Sequence, residues 1–341
     1  TQIGRVYAKA QSDYTTGVAA ATVISSGMPI ECEFYPAPTQ REVFERAAIT
    51  GGFYELPPVS GSQHGATFSL KMPLHGVSSS VPTDNPAEHP EYVFIKSVLG
   101  GGHSANYFAG EVVASGSDAD TIKVSGAQTE NFRVGNAAAF LSSDGSTYDV
   151  GFIDSVDSGA DTLSLRVPMS ISAVTDSSAS YGSNTAYLST GAPTSFSFVT
   201  RSVQNNSQVL LTGCVPTSFT ISMGPKDQLI AEFEFIANTI EGSAASDAIT
   251  DYDYTYPVLP VPIGSNAARC VFRDGSSATA IDVKSLSVSA EQTLVPQLGH
   301  GATTGVRDLL VTDRNITMTF TSILGASDRA QEMGGSWFPF Q

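Results

Sequence analysis

The sequence predicts a mainly β protein, an antiparallel β-sandwich or barrel with one or two packed helices and a small β-barrel inserted into it. Three observations carry this prediction. Apolar and polar residues alternate along Thr217–Met223, Leu229–Phe235 and Asn315–Thr321, the period of a strand with one buried face. Only two segments show a helical stripe. Residues 108–190 break into short apolar runs separated by Asp- and Gly-rich turns, the spacing of a small antiparallel barrel.

Taken in order, residues 1–107 form the first part of the larger domain. Thr39–Ala48 predicts a helix with Val43, Phe44 and Ala47 on one stripe, and Thr67–Met72 predicts a strand. Pro90–Gly100 predicts a second helix. Pro90 and Glu91 suit its start, Gly100–Gly102 suits its end, and Tyr92, Ile95, Val98 and Leu99 form a stripe expected to lie on a sheet.

The insert, residues 108–190, predicts strands at Glu111–Val113, Thr121–Val124, Phe132–Val134, Val150–Val156 and Thr162–Val167. Its junctions with the larger domain are expected at Gly100–Gly102 and Ser189–Pro193. Residues 191–341 complete the larger domain. Ser195–Val199 reads as a strand, and Thr217–Met223 and Leu229–Ala237 as a hairpin turning through Gly224, Pro225, Lys226 and Asp227. Residues 251–269, with Tyr252, Tyr254, Tyr256, Pro257, Pro260 and Pro262, read as an extended connection. Ile281–Val288 is expected to pair with residues 315–323 across a loop from Gln292 to Arg307.

The composition narrows the function. At 341 residues with 41% hydrophobic content the chain can bury a substantial core. Charged residues make up 15%, against roughly 25% in an average soluble domain, and Ser, Thr, Gly and Ala fill the gap. The net charge of −16, from 33 acidic and 17 basic residues, excludes a general basic field for holding nucleic acid. Cys32, Cys214 and Cys270 stand far apart without a CxxC pair, which argues against a disulfide framework or zinc site and for reduced core residues. The first residues lack a signal-peptide pattern, and no run approaches the ~18 apolar residues of a membrane span. A cytoplasm-like compartment is therefore expected.

Catalytic chemistry is hard to find. His64, His75, His89, His103 and His300 form no HExxH motif or close pair, and His103 reads as part of a linker. No GxSxG elbow, P-loop or dinucleotide fingerprint is present. Asp118, Asp120, Asp144, Asp149, Asp154, Asp157 and Asp161 lack the spacing of a calcium loop and suit β-turns, where Asp caps backbone groups. Glu232 and Glu234 lie two apart on one strand face, whereas a glycosidase places its carboxylates across a cleft. The expectation is of no catalytic residue, no metal and no cofactor.

The two-faced strands suggest a wall. Phe219, Ile221, Met223, Phe233 and Phe235 would face the core, and Ser218, Thr220, Ser222, Glu232 and Glu234 would face a lumen or a neighbouring subunit. Three stretches carry a resemblance: the helix PEYVFIKSVLGGG after the strand TFSLKMPLHG, the block from Thr194 to Asn238 with its Gly213–Cys214 step and Phe-x-Phe hairpin, and AIDVKSLSVSAEQT followed by RDLLVTDRNITMTFTS. In order and spacing, from about residue 60 to 323, they resemble the tail tube proteins of long-tailed bacteriophages.

The resemblance implies the tail-tube fold, with homo-hexameric rings stacked into a hollow tube whose inner strands join into one β-barrel. It implies a virion location after assembly in the host cytoplasm, and contact with tape measure, tail terminator and distal tail proteins. Double-stranded DNA would pass through an acidic lumen without specific binding, and the acidity of this chain fits that role independently. The insert would decorate the exterior. Phe53, Tyr54 and Leu56, in a Gly/Pro-bounded loop, and Trp337, Phe338 and Phe340, near residue 341, are expected at contacts between rings or subunits. An alternative is a phage or cell-surface adhesin whose insert binds carbohydrate, which would cluster aromatics such as Tyr148, Phe152, Tyr181 and Tyr187 on one face. A hydrolase using Glu232 and Glu234 is a third reading.

Overall fold

The computed structural model describes residues 4–30, 32–36, 43–44, 59–60, 66–74, 90–101, 103–111, 116–124, 129, 132, 134, 137–141, 148–166, 168, 180–186, 188–202, 207–223, 229–244, 270–274, 277–281, 283–299 and 306–322. The fold is mainly β, every pairing among the described residues is antiparallel, and the main sheet curls into a half-barrel. In chain order the elements begin with β1 (Gly4–Ala10), α1 (Ala20–Ser26), β2 (Met28–Ile30), β3 (Glu33–Pro36), β4 (Val43–Phe44), β5 (Val59–Ser60), β6 (Ala66–Pro73) and α2 (Pro90–Val98). The inserted sheet follows as β7 (His103–Glu111), β8 (Thr121–Lys123), β9 (Ala137–Leu141), β10 (Tyr148–Asp157), β11 (Thr162–Leu165) and β12 (Ser180–Ala186). The chain then forms β13 (Phe196–Ser202), β14 (Ser207–Met223), β15 (Ile230–Ala237), β16 (Thr239–Ala244), β17 (Cys270–Asp274), β18 (Ser277–Ile281), β19 (Val283–Leu298) and β20 (Val306–Ser322).

Strand β14 organises the main sheet. Its first half pairs with β13 and β16, and its second half with β15 and β19. Between the halves Gly213 takes φ +59°, a left-handed conformation that favours glycine, and the register shifts against both flanking strands nearby. The bulge divides the sheet into two differently covered regions. In the first, Val23 of α1 packs with Tyr7 and Val199 on one face, while Val6, Ala8, Phe196 and Phe198 enter the main core on the other. In the second, α2 covers one face and the opposite face stays open to solvent.

The core is aromatic. Phe94 on α2 sits with its ring centroid 5.1 Å from Phe196, 5.7 Å from Phe198, 5.5 Å from Phe233 and 5.1 Å from Phe235. Phe68 stacks on Phe235 at 5.0 Å. The edge-to-face contacts of Phe94 with Phe196, Phe233 and Phe235 add to the burial of large rings. Cys214 is fully buried in the same cluster, and burial pushes its thiol well above its ordinary pKa, so it acts as a small apolar residue. Cys32 is half-buried.

The inserted sheet runs β7-β12-β9-β10-β11-β8, with its own apolar cluster of Ile122, Val124, Phe132, Ile153, Leu163 and Leu165. It starts at His103, five residues before the expected boundary, and among the described residues no pairing joins β7 to β8 to close a barrel. Asp118 accepts from the backbone N–H of Thr121 at 2.7 Å, and Asp157 from that of Gly159 at 2.8 Å, the turn-capping role read from the sequence.

Several expectations need correction. Val43–Phe44, placed in a helix over 39–48, forms a strand paired with β5. The flanking residues of that segment, and the connection 251–269, lie outside the described residues. Phe132 and Val134 are not in a strand, while β9 and β12 went unpredicted. Ile95, Val98 and Leu99 of the expected α2 stripe are buried, but so is Phe94, which the stripe left out, whereas Tyr92 is only half-buried. The loop expected from Gln292 to Arg307 is largely strand, since β19 continues to Leu298 and β20 begins at Val306.

Candidate functional site

Each strand of the second half of the sheet alternates, so cross-strand partners fall into rows that share a face. One apolar row runs Leu70, Phe233, Phe219, Ala290 and Ile316; the next runs Met72, Ala231, Ile221, Val288 and Met318. Burial fades along both. Leu70, Phe233 and Ala231 are fully buried beside α2, while Ile316 is 40% and Met318 57% exposed on β20. Among the described residues β20 pairs only with β19, so its far edge of backbone groups is a sheet edge bordered by exposed apolar side chains.

The opposite face is polar. One row runs Ser69, Glu234, Ser218, Glu291 and Asn315, and the next Glu33, Lys71, Glu232, Thr220, Ser289 and Thr317. A third holds Ser222, Ser287 and Thr319. Ser218 Oγ donates to Glu234 Oε2 at 3.4 Å, and Thr217 Oγ1 to the Glu234 backbone carbonyl at 3.2 Å. Glu232, Glu234 and Glu291 are exposed. Lys71 lies in register between Glu33 and Glu232, an alternation of charge across three strands that favours their pairing.

The structure therefore brings Ser218, Thr220, Ser222, Glu232 and Glu234 onto one sheet face, opposite the buried Phe219, Phe233 and Phe235. Ser218 and Thr220 are half-buried. Phe53, Tyr54, Leu56, Trp337, Phe338 and Phe340 lie outside the described residues. Sequence reasoning missed Glu33, Lys71 and Glu291 as members of the face. Glu291 carried a usable signal, because it continues the parity of Ser287 and Ser289. Lys71 and Glu33 join only through pairing between distant segments.

Further along, the face changes character. Past the register shift between Thr293 and Leu294, the polar parity of β19 and β20 passes to Val295 and Leu310, direct cross-strand partners that are 45% and 50% exposed. Behind them Leu294 and Leu309 pack toward Tyr14, Val215 and Val306. Desolvation in that cluster, with the nearby Cys214 and Asp308, pushes the Tyr14 hydroxyl above its ordinary pKa.

Among the described residues, no group of three or more His, Cys, Asp or Glu side chains is placed to hold a metal ion. None of the described helices is long and apolar enough to cross a membrane. No family model and no curated protein sequence matches the chain.

Proposed function

We propose that the chain is the structural subunit of a phage-type tail tube, assembling as hexameric rings stacked around an acidic conduit for double-stranded DNA. The observation that supports this best is the division of one sheet into a buried aromatic face and a face of Ser, Thr and Glu reaching across β6, β15, β14, β19 and β20. Small hydroxyls and carboxylates dominate the face, with Lys71 in register between Glu33 and Glu232, so DNA meets little cationic grip and like charge keeps the phosphate backbone from adhering.

The 17-residue β20 supplies the second support. A long edge flanked by exposed Ile316 and Met318 invites aggregation if left bare and is satisfied by a neighbouring subunit. On this reading the polar face lines the lumen, the β20 edge faces the next subunit of the ring, and the inserted sheet lies outside. Tape measure, terminator and distal tail proteins would meet the tube at its bore and ends.

Sedimentation velocity of the purified chain over a range of concentrations tests assembly. Growth into large species that Met318→Glu abolishes, without loss of β-sheet circular dichroism, is the expected result. A monomer at every concentration, or growth unaffected by Met318→Glu, contradicts the proposed edge.

A further inference from the structure

The inserted sheet joins the main domain through two crossing segments, Leu99–Gly101 leaving helix α2 and Leu188–Gly191 returning toward β13. They touch directly. The Ser189 backbone N–H donates to the Leu99 carbonyl at 2.9 Å, and a Cβ built on Gly191 would fall 2.3 Å from the Gly100 carbonyl oxygen. Below this crossing, Ser97 Oγ donates to the Thr194 carbonyl and accepts from the Thr194 N–H, both at 2.9 Å.

A side chain from a distant strand closes the crossing. Arg314 of β20 donates from Nη1 to the Ser189 carbonyl at 2.7 Å and from Nη2 to the Gly191 carbonyl at 2.8 Å. Its Nε donates to the Val98 carbonyl at 3.0 Å and is shared with Gln292 Oε1 at 3.3 Å. Val98 ends α2, where carbonyls lack helical partners and the helix dipole favours a cation. Gln292, itself buried, donates onward to the Pro216 carbonyl beside the register shift of β14. Every acceptor of this guanidinium is an uncharged oxygen, and the planar fork reaches both junction segments at once, which a lysine ammonium cannot do.

The geometry points to Arg314 as a latch that fixes the inserted sheet to helix α2 and the β19–β20 hairpin, converting a two-segment stem from a hinge into a rigid mount. The chain from Ser189 and Gly191 through Arg314 and Gln292 to Pro216 ties the mount to the bulged centre of the main sheet.

Hydrogen exchange of the full chain tests the latch. In Arg314→Ala the Ser189 and Gly101 amides should exchange roughly ten-fold faster or more, while amides of β10–β11 and β14–β15 keep their protection. Arg314→Lys should resemble Arg314→Ala, because one ammonium cannot span the three carbonyls. Gly191→Ala opens the same crossing with Arg314 intact, and should give the same local pattern. Unchanged exchange at Ser189 in Arg314→Ala would overturn the latch. So would a uniform rise across β10, β14 and α2, which marks a general loss of stability.

Discussion

Gln11 Oε1 accepts a hydrogen bond at 2.9 Å from the backbone N–H of Gly213, the residue at which the central strand breaks stride. The same side chain donates from Nε2 to Ser197 Oγ at 2.8 Å and to the Thr16 carbonyl at 3.1 Å. One buried amide thus satisfies the bulge, ties β1 to β13, and holds the loop between β1 and α1.

Removing that amide should be costly for its size. Gln11→Leu leaves the Gly213 N–H buried and unpaired, a loss of about 1–3 kcal/mol. Gly213→Ala should cost more, because φ is +59° and the new Cβ would stand 2.6 Å from both the Tyr14 carbonyl oxygen and Asn238 Cβ. Urea denaturation of both variants checks the order.

Phe94 is the keystone between helix and sheet, meeting four other phenylalanine rings. Phe94→Ala should destabilise the chain by about 3–5 kcal/mol, whereas Tyr92→Ala, on the half-buried side of α2, should cost clearly less. Equilibrium unfolding separates the two.

The polar face is expected to be nearly neutral for folding. Glu232→Gln with Glu234→Gln should leave the unfolding midpoint almost unchanged, since both carboxylates are exposed. Lys71→Glu is different, because it places three carboxylates in register across β3, β6 and β15 and should cost up to about 1 kcal/mol. On the tube reading the double Gln change alters lumen charge without stopping assembly; on a hydrolase reading it would abolish turnover.

Acid should loosen the loop after β1 before it reaches the core. Hydrogen bonds from the Thr16 side chain and backbone, and from Thr15, bring the Asp13 carboxyl down to about 2. Its folded pKa lies below the unfolded value of about 3.9, so its stabilisation is complete above that value and is lost as pH falls from about 4 to 2. The protection factors of the Thr15 and Thr16 amides, taken against the intrinsic exchange rate at each pH, should fall in that window, and Asp13→Asn should remove that fall.

Legibility in the sequence followed locality. The β14–β15 hairpin could be read because Phe219, Ile221, Phe233 and Phe235 keep strict parity against Ser218, Thr220, Glu232 and Glu234. The first half of β14 could not be joined to it, because the Gly213 bulge resets parity and Pro216 argues against a central strand. Here the proline sits at a register shift, and its carbonyl is met by Gln292. Residues 292–307 looked like a loop because Gln292, Pro296, Gln297 and Gly299 interrupt the apolar pattern, yet pairing with β20 carries the strand through. Helix α1 has β-branched Thr22, Val23 and Ile24 and no capping side chain, so its helical state comes from packing on β1 and β13 rather than propensity. Of the candidate face, the β14–β15 hairpin and the β19–β20 pair were visible in the sequence, whereas joining them to each other and to β3 and β6 required the tertiary pairing.

The central claim is that the polar face lines a conduit. Negative-stain electron microscopy of the purified chain over a range of concentrations tests it most directly. Six-fold rings or hollow rods with a stain-filled axial channel are expected, and their loss in Met318→Glu. Uniform small particles at every concentration, or rods with a solid axis, would contradict it.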